Sequence, residues 1–467
     1  MWLLLPLACN QPPEEAPPEP GASCPDERPQ TPATPPPTVL VLSIDTVNRD
    51  FLGSRHPEWD TTPTLDSLMA EGVRFDNVLV PRGLSGPALA SLVTGAYPRT
   101  HTLRSNDAPD DSDYTVAPYP SDLPTLFERA SAAGYTTWGI WSNVCFVLGP
   151  VDHRACPWTF EDTIPQDTAD ETLTLDFLDS LAALDPAEPL FAWVHFMDPH
   201  DPYERRDPWY AEFHPDTYTG AYEDPTVNVL QEVAEGAAYT DDDRRHVEAV
   251  YASQIRATDE HIRTIVDALK AAGRWDDTVV LLAFDHGEEM ARRTTYFYHG
   301  CSVYSGVIGE TMAIRAPGSV AAGEVLDGWI PSVDISATFA DIVGLDWSGP
   351  QEGRSIWSQI AACEEPTSPG YFERGTQTAG IVQGGYKFLL DPEAGDDTCK
   401  HYDGENPYPG EREELYALDS DPLELDNLRG DDPDRAESMR ADLCQWLLAS
   451  EWNGDGSDNP LLKTCER

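Results

Sequence analysis

The sequence predicts an α/β fold: a mixed, mostly parallel sheet sandwiched by helices, with a small α+β subdomain at the C-terminus. Three observations carry this expectation. Short apolar, β-branched runs stop abruptly at polar residues, as strands buried on both faces do. Segments of helical periodicity alternate with these runs, which is the grammar of a parallel sheet covered on both sides. After about residue 365 the alternation gives way to short, closely spaced strands and a closing helix.

Folding begins at Thr38-Val39-Leu40-Val41-Leu42-Ser43-Ile44, a buried strand that stops at Asp45. Residues 62–71 suit a helix with Pro63 near its start. Leu123 to Ala133 suit another, with Gly134 as its stop and a strand following through Tyr135–Trp141. Pro189 to Phe196 is a buried strand. Residues 244–272 form a long amphipathic helix, with Val247, Val250, Tyr251, Ile255, Thr258, Ile262, Ile265, Val266 and Leu269 at helical spacing. Thr278 to Phe284 is a further strand, ending at Asp285. Beyond 365, Gly384-Gly385 sits between residues 380–383 and 386–390, a hairpin signal. Residues 414–418 add a strand and 433–449 a helix.

The N-terminal segment has a different character. Met1 to Cys9 is a short apolar run ending in Ala8-Cys9, like the processing site of a bacterial lipoprotein signal. Residues 10–37 are rich in Pro, Glu and Thr, cannot bury a core, and read as a tether. The expected organisation is therefore a lipoprotein signal over 1–9, a tether over 10–37, a catalytic domain over 38–365 and a C-terminal subdomain over 366–467. The protein is then exported and lipid-anchored at the cell envelope, and the anchor is its only membrane contact. Of nine cysteines, Cys9 would carry lipid, which leaves an even number suited to an oxidising compartment. Cys145 with Cys156, and Cys444 with Cys465, are plausible pairs.

Charge excludes one class of partner. Asp plus Glu total 82 against 30 Lys plus Arg, a net charge of −52. Nucleic acid, which requires a basic surface, is not expected as a partner.

The candidate chemistry lies where strands end. Asp45 follows one strand, and Asp285-His286 follows another. Such residues converging from distant sequence suit a divalent cation. Ser85 sits in a Gly/Pro turn leading into a short apolar helix, whose N-terminus favours an anionic group. A metal would make its hydroxyl a nucleophile. His195 and His200 in VHFMDPHDPY, and His299 in FYHGCSVY, are candidates for acids that protonate a leaving group.

Several motifs then resemble one family. IDTVNRDFLG resembles the N-terminal metal strand of sulfatases. SGPALASLVTGAYPRTH is similar to their nucleophile signature, FMDPHDPY to their DPHxPY loop, and AFDHGEEM to their SDHGEE metal loop. YHGCSVYSGVIGETMAIRAPG and ELYALDSDPLELDNL resemble two later signatures. The motifs run in family order from about residue 38 to 450. The resemblance implies an alkaline-phosphatase-like fold, hydrolysis of sulfate or related phosphate esters on a small molecule or glycan, and one divalent metal ion (Zn, Mn or Ca). It implies Ser85 as nucleophile, His200 and His299 as catalytic groups, and Asp45, Ser85, Asp285 and His286 as metal ligands. Asn143 and Arg82 are candidates for contacts to the substrate oxyanion.

This sequence also departs from the family. The usual nucleophile is a formylglycine made from Cys or Ser within C/S-x-P-x-R, but here Leu89 replaces that Arg. The usual paired Asp-Asp is Asp45-Thr46, and the later Asp-Asn is Asp285-His286. The ligand set is similar to the single-metal site of phosphoglycerol and phosphoethanolamine transferases, where an unmodified Thr is nucleophile. The alternatives are therefore a phosphotransferase or phosphodiesterase on the same fold, and a non-catalytic binding protein that retains it. An imidazole ligand shifts metal preference from Ca²⁺ towards Zn²⁺ or Mn²⁺.

The N-terminal reading has a direct test. Radiolabelled fatty acid should enter the wild-type protein and not Cys9→Ala; no incorporation into the wild type would defeat it.

Overall fold

The computed structural model describes residues 37–56, 58–103, 122–141, 152–155, 166–214, 217–223, 239–293, 297–300, 302–362, 364–375, 377–392, 411–449 and 459–466. Cys9, the Pro-rich segment up to residue 36, Asn143 and the Cys145/Cys156 pair lie outside the described residues.

Strands β1 (Thr38–Ile44), β2 (Val73–Leu79), β3 (Thr136–Trp141), β4 (Asp152–Ala155), β5 (Leu190–Phe196), β6 (Thr278–Phe284), β7 (Gly309–Arg315) and β8 (Glu324–Pro331) form one sheet. Their order is β4-β3-β5-β1-β6-β7-β2-β8. The fully buried β1 lies at the centre, parallel to β5 on one side and β6 on the other. Only β7 runs against its neighbours, antiparallel to both β6 and β2. The sheet is mixed and mostly parallel, as the sequence predicts.

Side-chain alternation along the central strands builds two cores. Val39 and Val41 join Phe191, Trp193, Val279 and Leu281 on one face. Leu40, Leu42 and Ile44 join Ala192, Val194, Val280 and Leu282 on the other. The first face is covered by the helices Ser85–Thr94 and Ser332–Val343, through Leu89, Leu92, Ile335 and Phe339. The second is covered by Asp241–Ala271, whose expected apolar stripe is buried throughout. That helix starts three residues earlier than its apolar periodicity does. The Thr240 side chain accepts from the Asp243 N–H, and Asp243 returns a bond to the Thr240 backbone, a capping box that sets the start. Among the described residues, no helix is long and apolar enough to cross a membrane.

The C-terminal part is a second, antiparallel sheet of β9 (Gly370–Arg374), β10 (Thr378–Gln383), β11 (Tyr386–Leu390) and β12 (Glu413–Ala417). Gly384 and Gly385 both have positive φ, 58° and 75°, as a two-residue hairpin turn requires. The helix Pro433–Ala449 closes one face of this sheet, packing Met439, Leu443 and Leu447 on Ile381, Phe388 and Leu415. Cys444 and Cys465 form the expected disulfide.

Buried charged groups tie the C-terminal sheet to the main body. Arg99, from the short helix Pro98–His101, meets Glu373 on β9 at 2.6 Å. Lys387 on β11 meets Glu424 at 2.6 Å, both side chains 1% exposed, and donates to the Val303 carbonyl of the main body. Breaking a buried pair from one side leaves an uncompensated charge. Lys387→Met should therefore lower stability by about 3–5 kcal/mol, read from urea unfolding. The double variant Lys387→Met/Glu424→Gln should regain much of that loss. An unchanged midpoint in the single variant would show that the pair does not hold the junction.

Candidate active site

Because β1 and β6 pair in register, Ile44 lies opposite Phe284 and both strands end at one edge. Asp45 and Asp285-His286 leave the sheet side by side. Thr46 then turns the chain with φ 53°, a left-handed conformation that a β-branched residue adopts only under constraint. The constraint is visible in its contacts. The Thr46 N–H donates to Asp285 Oδ1 at 3.1 Å, and its carbonyl accepts from the Tyr251 hydroxyl at 2.5 Å. Tyr251 also accepts from the Asn48 N–H at 2.7 Å, so the long helix clamps the turn that aims Asp45.

Ser85 is the first residue of the helix Ser85–Thr94 and is buried. Its Oγ lies 3.1 Å from Asp45 Oδ2 and 3.3 Å from His286 Nε2. His286 Nδ1 is 3.1 Å from the Gly287 carbonyl, to which it must donate, so Nε2 presents its lone pair to the centre. Gly287 allows this packing, since a Cβ there would stand 2.4 Å from the Gly306 carbonyl oxygen. One turn beyond Ser85, Leu89 is fully buried in the apolar cluster on that face of the sheet.

Donor atoms of Asp45, Asp285 and His286 all lie within 4.8 Å of one another, and all three residues are buried. Their electrostatics fit a cation. Asp285 Oδ1 accepts from two backbone N–H groups, while its buried Oδ2 makes no hydrogen bond. Burial and the facing Asp45 raise the Asp285 carboxyl well above its usual range. For Asp45, burial is outweighed by the His195 hydrogen bond and the His200 charge, which hold it below the usual carboxylate range. Burial, reinforced by His299, pushes His286 down to about 3, which keeps its ring neutral. Two buried carboxylates and a neutral imidazole sharing one small volume, with one oxygen unsatisfied, form a donor set for a divalent metal. Asp45, Asp285, His286 and the Ser85 hydroxyl would hold it.

A second group stands alongside. The rings of His200 and His299 are 5.1 Å apart, and those of His286 and His299 are 4.6 Å apart. His200 Nδ1 is bonded to the Asp201 carbonyl at 2.7 Å, and His299 Nδ1 to Glu288 at 3.3 Å. Burial would lower His200, but Asp201 and Asp45 raise it to about 9. Burial and the His200 charge push His299 down to about 4. One imidazole is thus charged and its neighbour neutral.

One sequence candidate does not join this group, and another is not described. Asn143 lies outside the described residues. Arg82 is directed to the C-terminal sheet, where it donates to the Glu373 carbonyl at 3.4 Å. The structure also assigns contacts that sequence reasoning did not place, among them those of His195, a candidate leaving-group acid in the sequence. His195 Nε2 lies 3.5 Å from Asp45 Oδ2, and Ser43 sets its ring. The Ser43 hydroxyl accepts from Trp193 Nε1 at 2.8 Å, so it donates to His195 Nδ1 at 2.9 Å and leaves the ring's hydrogen facing Asp45. Tyr251 and Glu288 make the others. The link of His195 to Asp45 follows from strand register, which pairs His195 with Ser43, and not from its sequence motif.

Comparison with known proteins agrees with this architecture. The sulfatase family model matches residues 37–345. The choline-sulfatase of Rhizobium meliloti is 22% identical over 496 residues, spanning 92% of this chain and 90% of that protein. The Δ4,5-hexuronate-2-O-sulfatase of Bacteroides thetaiotaomicron is 23% identical over 433 residues, spanning 85% of each. The crystal structure of the phosphonate monoester hydrolase of Agrobacterium radiobacter superimposes with a TM-score of 0.67 at 19% identity, covering 90% of this chain and 96% of that one. The likeness in structure shows a shared alkaline-phosphatase-type fold. With the family model spanning most of the main domain, the chain belongs to the sulfatase family.

Proposed function

We propose that the protein is a metal-dependent hydrolase of sulfate esters or of related phosphorus oxyanion esters, with Ser85 as an unmodified hydroxyl nucleophile. The observation that carries this reading is the placement of Ser85 Oγ. It sits at a helix N-terminus, 3.1 Å from Asp45 and 3.3 Å from His286, beside the unsatisfied Asp285 oxygen. The names of the relatives, sulfatases and a phosphonate monoester hydrolase, support both ester classes.

A divalent metal bound by Asp45, Ser85, Asp285 and His286 would lower the pKa of the hydroxyl and offset charge on a non-bridging ester oxygen. The chain's own groups do the rest. Ser85 Oγ attacks sulfur or phosphorus in line, forming one ester bond as the bond to the alcohol oxygen breaks. The hydroxyl proton has an acceptor in reach, Asp45 Oδ2, since the His286 Nε2 lone pair would be taken by the metal. His200, held protonated by its carboxylate neighbours, gives its proton to the leaving oxygen. His299, fixed by Glu288, keeps a neutral ring beside it. The neutral His200 can then accept a proton from the water that opens the Ser85 ester.

Leu89 bears on the choice of nucleophile. Its side chain is spent in the apolar core, so the helix offers no guanidinium to hold an aldehyde hydrate. A hydroxyl nucleophile leaves a covalent ester that water must attack, and phosphorus accepts that attack more readily than sulfur. The enzyme should therefore favour phosphate or phosphonate esters when paired with the sulfate ester of the same alcohol. We further propose that it works outside the cytoplasm, on the strength of the Leu-Ala-Cys segment and the Pro-rich tether after it.

Two measurements test this reading. Ser85→Ala should lower kcat by at least about 10⁴-fold while metal content stays near that of the wild type. An aldehyde mass on the Ser85 peptide, or full activity in the alanine variant, would return the protein to another mechanism. Metal analysis should give one equivalent per chain in the wild type and little in Asp285→Ala. After chelation, Zn²⁺ or Mn²⁺ should restore turnover better than Ca²⁺; equal metal content in both proteins would remove the site.

A further inference from the structure

Behind the loops that carry the metal ligands is a cavity of about 240 Å³, closed on one side by residues 422–424 of the C-terminal part. None of Asp45, Ser85, Asp285 and His286 lines it. Four guanidiniums do: Arg49, Arg55, Arg292 and Arg293. In a chain with 30 basic residues against 82 acidic ones, that concentration is unusual.

The partners of these arginines are more unusual than their number. Arg49 is buried and donates to the Asp76 carbonyl and the Asn77 side-chain oxygen, with its guanidinium 5.3 Å from the Trp329 ring. Arg293 donates to the Glu424 carbonyl and the Tyr416 hydroxyl and stacks on Tyr304 at 3.5 Å. Neither has a carboxylate oxygen within 4 Å among the described residues. Arg55 and Arg292 reach carboxylates only at 3.9 and 3.7 Å, and the buried Arg292 Nε makes no hydrogen bond. Arg49 and Arg293 are therefore positioned by carbonyls and rings rather than by direct carboxylate pairs, and Arg55 and Arg292 have only long ones.

Carboxylates around the cavity redress this only in part. Glu424 is paired with Lys387 and accepts from the Ser305 N–H at 2.6 Å, while Glu289 accepts from the Ser302 hydroxyl. Four guanidiniums thus share the lining with Asp50 and Glu289, neither of which has a cation within 4 Å among the described residues. Burial, then the neighbouring Arg55 charge, pulls Arg49 below its usual range, while Asp50, Glu310 and Asp76 act to raise it. Against burial, Tyr304, Tyr416, Glu414 and Glu424 hold Arg293 above its usual range. Finally, Ser305 is 4% exposed, lines the cavity, and has a hydroxyl with no hydrogen-bond partner. A buried unsatisfied donor beside four guanidiniums lacks an acceptor.

We infer that this cavity is a second, non-catalytic site for a tetrahedral oxyanion, sulfate or phosphate, held by Arg49, Arg55, Arg292 and Arg293 with Ser305. The anion is either free in solution or a second anionic substituent on a substrate. The site stands whether or not Ser85 is the nucleophile.

The test is equilibrium dialysis with radiolabelled sulfate at constant ionic strength. Arg55 and Arg292 are partly exposed, so the double variant Arg55→Gln/Arg292→Gln should fold; Ser305→Ala gives a second, milder probe. The double variant should bind sulfate at least about tenfold more weakly, and Ser305→Ala should show a smaller loss. Asp285→Ala, which disrupts the catalytic centre, should retain the binding. Wild-type affinity in the double variant, or loss of binding in Asp285→Ala alone, would overturn the inference. Kinetics with the mono- and bis-ester of one diol distinguish the sources. A KM raised only for the bis-ester in the double variant identifies a substrate substituent. Unchanged KM for both, with sulfate affinity lost, identifies the free ion.

Discussion

Asp45 and Asp285 are buried side by side at the end of an apolar sheet, and that juxtaposition governs the structure around them. Two carboxylates in such a place are costly unless something shares or neutralises their charge. The surroundings divide the task. His195 and the His200 charge stabilise Asp45 as an anion, while two backbone N–H groups take one oxygen of Asp285 and leave the other bare. The strained turn at Thr46 belongs to the same arrangement, since its N–H is one of those donors. The strain is tolerated because Tyr251, on a helix packed along the whole sheet, holds the turn from behind.

What was legible in the sequence follows from this geometry. The central strands β1, β5 and β6 are continuous apolar runs because they are buried on both faces, and their ends could be read to within a residue. Asp45 and Asp285-His286 were legible because they follow those ends. Strands β2, β7 and β8 were not singled out. β2 mixes Arg74, Asp76 and Asn77 into its run, and β7 carries Glu310 and Arg315 although every residue in it is buried. Arg315 is met by Glu71, a partner that no local pattern announces, whereas Arg74 pairs with Asp76 on its own strand and Glu310 is buried with neither oxygen hydrogen-bonded. The same limit applies at the site. Ser85 declares itself by its turn and helix, whereas the role of His195 depends on strand register and that of Tyr251 on a helix far away in sequence. Arg82 shows the converse: it stands close to Ser85 in sequence, yet its guanidinium turns to β9.

Charge poses the remaining problem. An anionic ester must approach a protein of net charge −52, to a centre already holding two carboxylates. Family members commonly place an arginine one turn after the nucleophile, and here Leu89 fills that position and faces the core. His200 is a positive charge that the site retains: burial would lower it, and Asp201 and Asp45 hold it up at about 9. It stands in a loop that resembles the family's own, so it does not replace the missing arginine. A cation of that kind can surrender a proton, which an arginine cannot. Loss of the permanent charge thus weakens substrate attraction and leaves a titrating group in place. That balance suits a reaction whose difficulty lies in expelling an alkoxide. It suits less well one that depends on holding an aldehyde hydrate, and it is the physical ground for proposing a plain hydroxyl at residue 85.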